Sequence, residues 1–225
     1  MPGPDGRSSR GLRGRLVLFD LDGTLVDSTP GIWASVAVAA AELGLPEPTA
    51  AQLRNMVGPP LQDGFALVLG VPPDDVPRAV TAYRAHYAAG ALLDVAVYDG
   101  VPELLAALAG AGALLAVATS KPEPFAVRVL EHTGLLGAFA SVHGATLDGA
   151  VRHKEQVVAA ALATHPGGRD AVLIGDREHD VRGAAAHGLP CLGAGWGPAP
   201  GELRAAGAAA VARTPAEALA LLADV

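Results

Sequence analysis

Leu16-Val17-Leu18-Phe19-Asp20-Leu21-Asp22-Gly23-Thr24-Leu25 runs four apolar residues straight into two carboxylates, a glycine and a hydroxyl. An apolar run this short, and bounded this abruptly, predicts a strand buried on both faces, as in a parallel sheet. Ligands of open parallel sheets gather outside the carboxyl ends of the strands. Asp20 and Asp22 are therefore expected at the edge where chemistry is done.

The rest of the chain supplies more such strands. Short apolar runs near 114–118, 139–143, 171–174, 191–193 and 209–211 alternate with helical patterns near 103–108, 122–132, 153–163, 181–187 and 216–222. This alternation predicts an α/β fold with a doubly wound, Rossmann-like parallel sheet. Residues 30 to 95 break the alternation with helical segments at about 31–44, 49–57, 61–69 and 75–91, punctuated by Gly58-Pro59-Pro60 and by the Pro-rich stretch at 70–75. A parallel crossover needs only about a dozen residues, and the helix near 103–108 already provides one. The expected organisation is a tail at 1–14, a core domain at 15–29 and 96–225, and an inserted all-helical cap domain at 30–95. Linkers near 27–31 and 94–99 would hinge the cap beside the carboxylates.

Composition narrows the function classes. Half of the 225 residues are hydrophobic and the net charge is −7, which gives a substantial core and no basic footprint for nucleic acid. The amino end lacks the apolar stretch of a secretory signal and no segment approaches 18 uninterrupted apolar residues, so a cytoplasmic protein with no membrane partner is expected. The single Cys191 sits in an apolar context and reads as a small buried hydrophobe. None of the seven histidines has metal-ligand spacing; His179, between Asp176 and Asp180, is placed to support the acids from behind.

Four sets of polar groups fall at strand ends or at the helix starts that follow them: Asp20 with Asp22, Thr119 with Ser120, Lys154, and Asp176 with Asp180. In a parallel sheet they share one edge. Carboxylates, an ammonium and hydroxyls converging there match phosphoryl transfer assisted by a hard divalent cation. Each set also has a plainer reading, the acids and hydroxyls as turn or helix-cap residues and Lys154 as a solvated helix residue. Only the combination points to catalysis.

In that order, Asp20-Leu21-Asp22-Gly23-Thr24, Thr119, Lys154 and Gly175-Asp176-Arg177-Glu178-His179-Asp180 resemble the four motifs of the haloacid dehalogenase-type phosphatases, with the helical insertion similar to a C1-type cap. Tyr98-Asp99-Gly100-Val101-Pro102 and Thr119-Ser120-Lys121-Pro122 resemble the phosphoglycolate phosphatase and 5′-nucleotidase-like members. The resemblance implies a Mg²⁺-dependent phosphomonoesterase for a small metabolite, phosphoglycolate or a nucleoside monophosphate, acting as a monomer or homodimer. Asp20 would be the nucleophile and Asp22 the acid and then the base. Thr119 and Lys154 would hold the phosphoryl group. Asp20, the Asp22 carbonyl, Asp176 and Asp180 would hold the metal. Lys121 is a rival cation to Lys154, and the motif order favours Lys154.

Gly23, Thr24 and Ser120 are candidate phosphate contacts, and Arg54, Asn55 and Arg84 are candidate cap residues for choosing the substrate. Trp196, between two glycines, either lines the mouth of the site or packs beside it. A phosphomutase on the same core, a receiver-like signalling module and a non-catalytic binding module are the alternatives.

Overall fold

The computed structural model describes residues 11–167, 170–222 and 225. The first ten residues of the expected tail lie outside that range. Six strands form one parallel sheet in the order β5-β4-β1-β6-β7-β8. They are β1 (Leu16–Phe19), β4 (Leu114–Pro122), β5 (Ser141–Ala145), β6 (Val172–Gly175), β7 (Cys191–Ala194) and β8 (Ala210–Ala212). The doubly wound expectation holds. All four residues of β1 are buried, because β1 is paired on both edges and covered on both faces. Val17 and Phe19 face one apolar cluster, while Leu16 and Leu18 face another.

Two features enlarge on the sequence reading. The segment after Thr24, expected as turn and cap residues, contains a two-residue strand, β2 (Val26–Asp27), which pairs antiparallel with β3 (Ala96–Val97). All helices between residues 29 and 93 leave and return through that ribbon. They are α1 (Thr29–Glu42), α2 (Ala50–Asn55), α3 (Leu61–Asp63), a π-helical segment (Gly64–Val68), α4 (Val76–Ala89) and a 3₁₀ turn (Ala91–Leu93). The helix expected at 61–69 is thus a short α-turn running into a π-turn.

The remaining helices cover the sheet: α5 (Val101–Gly110), α6 (Glu123–His132), α7 (Lys154–Thr164), α8 (Glu178–Ala185), α9 (Pro200–Ala206) and α10 (Pro215–Leu221). α8 starts three residues earlier than its apolar pattern suggests. Asp180 accepts a hydrogen bond from the Arg177 N–H at 3.1 Å, which supports the first turn. α9 was not expected: only Leu203 is buried in it, so it has no apolar period to read. Cys191 is buried in β7, as its context predicts.

The central strand carries the stability. Leu18→Ala, at a fully buried position in β1, is expected to lower unfolding free energy by about 2–5 kcal/mol. Leu67→Ala, at a side chain 84% exposed, should change it by no more than about 0.5 kcal/mol. Urea unfolding of the two variants checks the contrast.

Candidate active site

β1 ends at Asp20, and the chain turns at once. The Gly23 N–H donates to the Val26 carbonyl (2.8 Å), and the Leu25 and Val26 N–H groups both return to the Leu21 carbonyl. Gly23 has φ +83°, and a Cβ there would collide with the Asp176 carboxylate. Glycine is required on both counts. The neighbouring Thr24 hydroxyl donates to Asp176 Oδ1 at 3.3 Å. Gly23 and Thr24 therefore support the acids; neither lines the cleft.

β6 ends beside β1, and the loop to α8 with the first turn of that helix brings Asp176 and Asp180 against Asp20. Carboxylate oxygens of the three lie within 4.8 Å of one another, all buried. Lys154, at the start of α7, sits among them. Its ammonium is 2.9 Å from Asp20 Oδ1 and 2.8 Å from Asp180 Oδ1, and it donates to the Ala118 carbonyl at 2.9 Å. Asp20 Oδ1 also accepts from the Leu21 N–H at 2.8 Å, so the carboxylate plane is fixed. Of the two rival lysines, Lys154 is the one that reaches Asp20.

These contacts set the protonation balance. Burial pushes the Asp20 carboxyl up to about 6; Lys154 opposes the shift, while Asp180 and Asp22 add to it. Burial, then Asp180 and Asp20, push Asp176 well above the usual carboxylate range. Burial alone would lower the Lys154 ammonium, but Asp180 and Asp20 hold it above its ordinary value.

Asp22 belongs to a separate ion pair. Its carboxylate accepts from the Ser28 hydroxyl at 2.6 Å, and Lys121 Nζ reaches Oδ1 and Oδ2 at 2.5 and 2.6 Å. Lys121 also lies 5.3 Å from the Tyr87 ring centroid. The sequence reading weighed Lys121 only against Lys154 and missed this partnership, along with Ser28 and Tyr87. The register of β4 with β5 shifts between Ala118 and Pro122, and that irregular segment presents Thr119, Ser120 and Lys121 to the edge.

A cleft enclosing about 80 Å³ of free space opens over this edge. Asp20, Asp22, Thr119, Ser120 and Lys121 line one side, and Ile32, Met56, Gly58, Tyr83, Arg84 and Tyr87 from the helical block line the other. Arg84 is thus in the cleft. Arg54 and Asn55 are not: they border a separate hollow with Arg177 and Glu202. Trp196 takes the packing side of its two readings, donating from Nε1 to the Thr24 carbonyl at 3.0 Å. His179 is half-buried at the start of α8 and outside the cleft lining; burial lowers its pKa.

Residues 17–194 match the family model described as haloacid dehalogenase-like hydrolase. The chain belongs to that family. Among its relatives, a 5′-nucleotidase of Pseudomonas aeruginosa is 41% identical over 182 residues, which are 80% of this chain and 82% of that protein. The tyrosine-protein kinase PtkA of Mycobacterium tuberculosis is 44% identical over 192 residues, 84% of this chain but only 65% of that protein's length. The crystal structure of a predicted phosphatase from Clostridium acetobutylicum superposes with a TM-score of 0.89 at 35% identity, covering 95% of this chain and all of that one. This haloacid dehalogenase-like chain is an enzyme of the phosphatase type. No helix among the described residues is long and apolar enough to cross a membrane.

The acid cluster fits a hard divalent cation. It offers only oxygen donors, and Asp176 Oδ2 is buried without a hydrogen-bond partner. Cation binding requires the carboxyls to be ionised; the Asp20 group takes up a proton as the pH falls through about 6, and burial raises Asp176 in the same direction. Millimolar Mg²⁺ is accordingly expected to raise the melting temperature more at pH 7.5 than at pH 5, by scanning calorimetry. Equal shifts at the two values would contradict this reading of the cluster.

Proposed function

We propose that the protein hydrolyses a small phosphomonoester in two displacements through a phosphorylated Asp20. The observation that carries this reading is the pair of separately held carboxylates at the end of one strand: Asp20 among Lys154, Asp176 and Asp180, and Asp22 with Lys121 and Ser28. Different surroundings give two carboxylates different tasks.

Asp20 is oriented by the Leu21 N–H and Lys154, so its attack on phosphorus starts from a fixed plane. The phosphorus–oxygen bond to the leaving alcohol breaks as the bond to Asp20 forms, and Asp22 delivers the proton to that alcohol. An incoming phosphoryl group competes with Asp22 for the Lys121 ammonium, which leaves Asp22 free to carry the proton. In the second displacement water attacks the phosphorus, Asp22 takes up its proton and Asp20 is regenerated. Lys154 stays paired with Asp20, and the Thr119 and Ser120 hydroxyls sit in the cleft as phosphoryl contacts.

Mg²⁺ held by Asp20, Asp176, Asp180 and the Asp22 carbonyl would neutralise phosphoryl charge. In this reading residues 30–95 act as a cap that moves on the β2–β3 ribbon and keeps bulk water from Asp20. The small leaving alcohol is glycolate, from phosphoglycolate, or a nucleoside, the latter in line with the 5′-nucleotidase relative. The likeness to PtkA favours a second reading, in which the phosphoryl group passes to a tyrosine rather than to water.

A phosphate-release screen over phosphoglycolate, nucleoside monophosphates and sugar phosphates with Mg²⁺ tests the proposal. Turnover is expected on at least one, and Asp20→Asn should reduce it by at least about 10³-fold while the fold is retained. Retained turnover in that variant would remove Asp20 from the nucleophile's role, and label appearing on a protein tyrosine instead of in free phosphate would select the second reading.

A further inference from the structure

As it stands the cleft is narrow: about 80 Å³ of free space is well under the roughly 300–1,000 Å³ usual for ligand sites. The helical block is therefore seen closed, and a substrate enters only if it lifts. We propose that Arg177 is the latch that holds it shut and ties that closure to the loop carrying Asp176 and Asp180, so that Arg177 is a positioning residue for the reaction. The proposal rests on the phosphoryl-transfer reading above for its kinetic consequence, though not for its structural one.

Arg177 follows Asp176 directly, and its N–H donates to Asp180 Oδ2. Its side chain leaves the core. The guanidinium is buried in the seam, where Nη1 donates to the Val57 carbonyl at 2.6 Å and to the Arg54 carbonyl at 3.4 Å, both at the end of α2. Nε lies 3.3 Å from Glu202 on α9. A buried guanidinium is costly unless its donors are met. Here the closed position of residues 54–57 meets Nη1, while Nε has no hydrogen bond and only the ion pair with Glu202; in an open state water replaces the two carbonyls and Glu202 keeps the charge paired. The latch therefore releases without stranding a charge.

Gly58 completes the fit. It has φ +105°, and a Cβ there would stand 3.0 Å from Arg177 Cγ, so only glycine lets the loop lie against the latch without strain. The chain beyond it, Pro59-Pro60-Leu61, lines the cleft. Holding Val57 thus places part of the cleft's roof. On the opposite side of the block, Arg84 Nη1 donates to the Leu147 carbonyl at 2.7 Å, a second tie that touches none of the acids. Arg177 alone among these contacts is continuous in sequence with the cluster at Asp176.

The test compares Arg177→Met and Arg177→Lys with the unchanged protein by amide hydrogen exchange and by kinetics. A charged hydrogen bond of this kind corresponds to roughly 10- to 100-fold in an equilibrium. Arg177→Met should speed exchange at residues 54–61 by about tenfold or more while strands β1 and β6 exchange as before, and, since it eases opening and weakens closure over bound substrate, should lower kcat without raising KM. Arg177→Lys, able to reach one carbonyl, should restore part of both. If Arg177→Met does not fold, Gly58→Ala presses on the same contact from the other side and should give the same pattern.

Unchanged exchange at 54–61 would overturn the latch, as would exchange that rises equally in β1 and β6, the mark of a merely structural residue. If no phosphomonoester is turned over at all, the function proposal fails while the exchange result still decides the latch.

Discussion

One ammonium among three buried carboxylates sets the terms for the rest of the molecule. Lys154 touches Asp20 and Asp180, with Asp176 in the same cluster, so the ionised group carries two uncompensated negative charges. Removing charge from water is expensive, and a cluster left in that state takes up protons, as the raised Asp20 and Asp176 carboxyls do. In the proposed reaction a divalent cation would cancel the excess, and an arriving phosphoryl group would meet an Asp20 carboxylate already oriented by Lys154 and the Leu21 N–H. The glycine after Asp22 and the threonine after that glycine are explained by the same cluster. One leaves space for Asp176, and the other donates a hydrogen bond to it.

A second pair, Asp22 with Lys121, is held apart from the first although only Leu21 separates Asp20 from Asp22 in sequence. In a continuing strand the two would share a face, but the chain turns after Asp20, with the Leu25 and Val26 N–H groups returning to the Leu21 carbonyl, and the irregular end of β4 brings a private cation to Asp22. The fold thus gives two neighbouring carboxylates unlike electrostatic surroundings, the difference on which the proposed division between an attacking group and a proton carrier rests. Tyr87 beside Lys121 extends the arrangement into the helical block.

Much of this was legible in the residues. The four-residue apolar run of β1, its abrupt acidic end and the later apolar runs suffice for the doubly wound sheet, because a doubly buried strand leaves a distinct pattern. Asp20, Asp22 and Asp176 follow from their places just past strand ends, and Lys154 and Asp180 from the helix starts that follow strands. What the residues did not disclose depends on distant partners. Lys121 meets Asp22 across 99 positions, and no local pattern records which of two nearby lysines turns which way. The β2–β3 ribbon is too short for any periodicity, and α9 buries a single leucine. Arg54 and Asn55 read as cleft residues because they flank the Gly-Pro-Pro turn, yet the turn carries them to the hollow beside Arg177.

Chemical capture of the enzyme during turnover addresses the central claim most directly. Acid quenching in the steady state, followed by peptide mass analysis, should find one phosphoryl group on the peptide containing Asp20, labile to hydroxylamine as an acyl phosphate is. Turnover with no phosphorylated peptide, or with the group on another residue, would contradict the account.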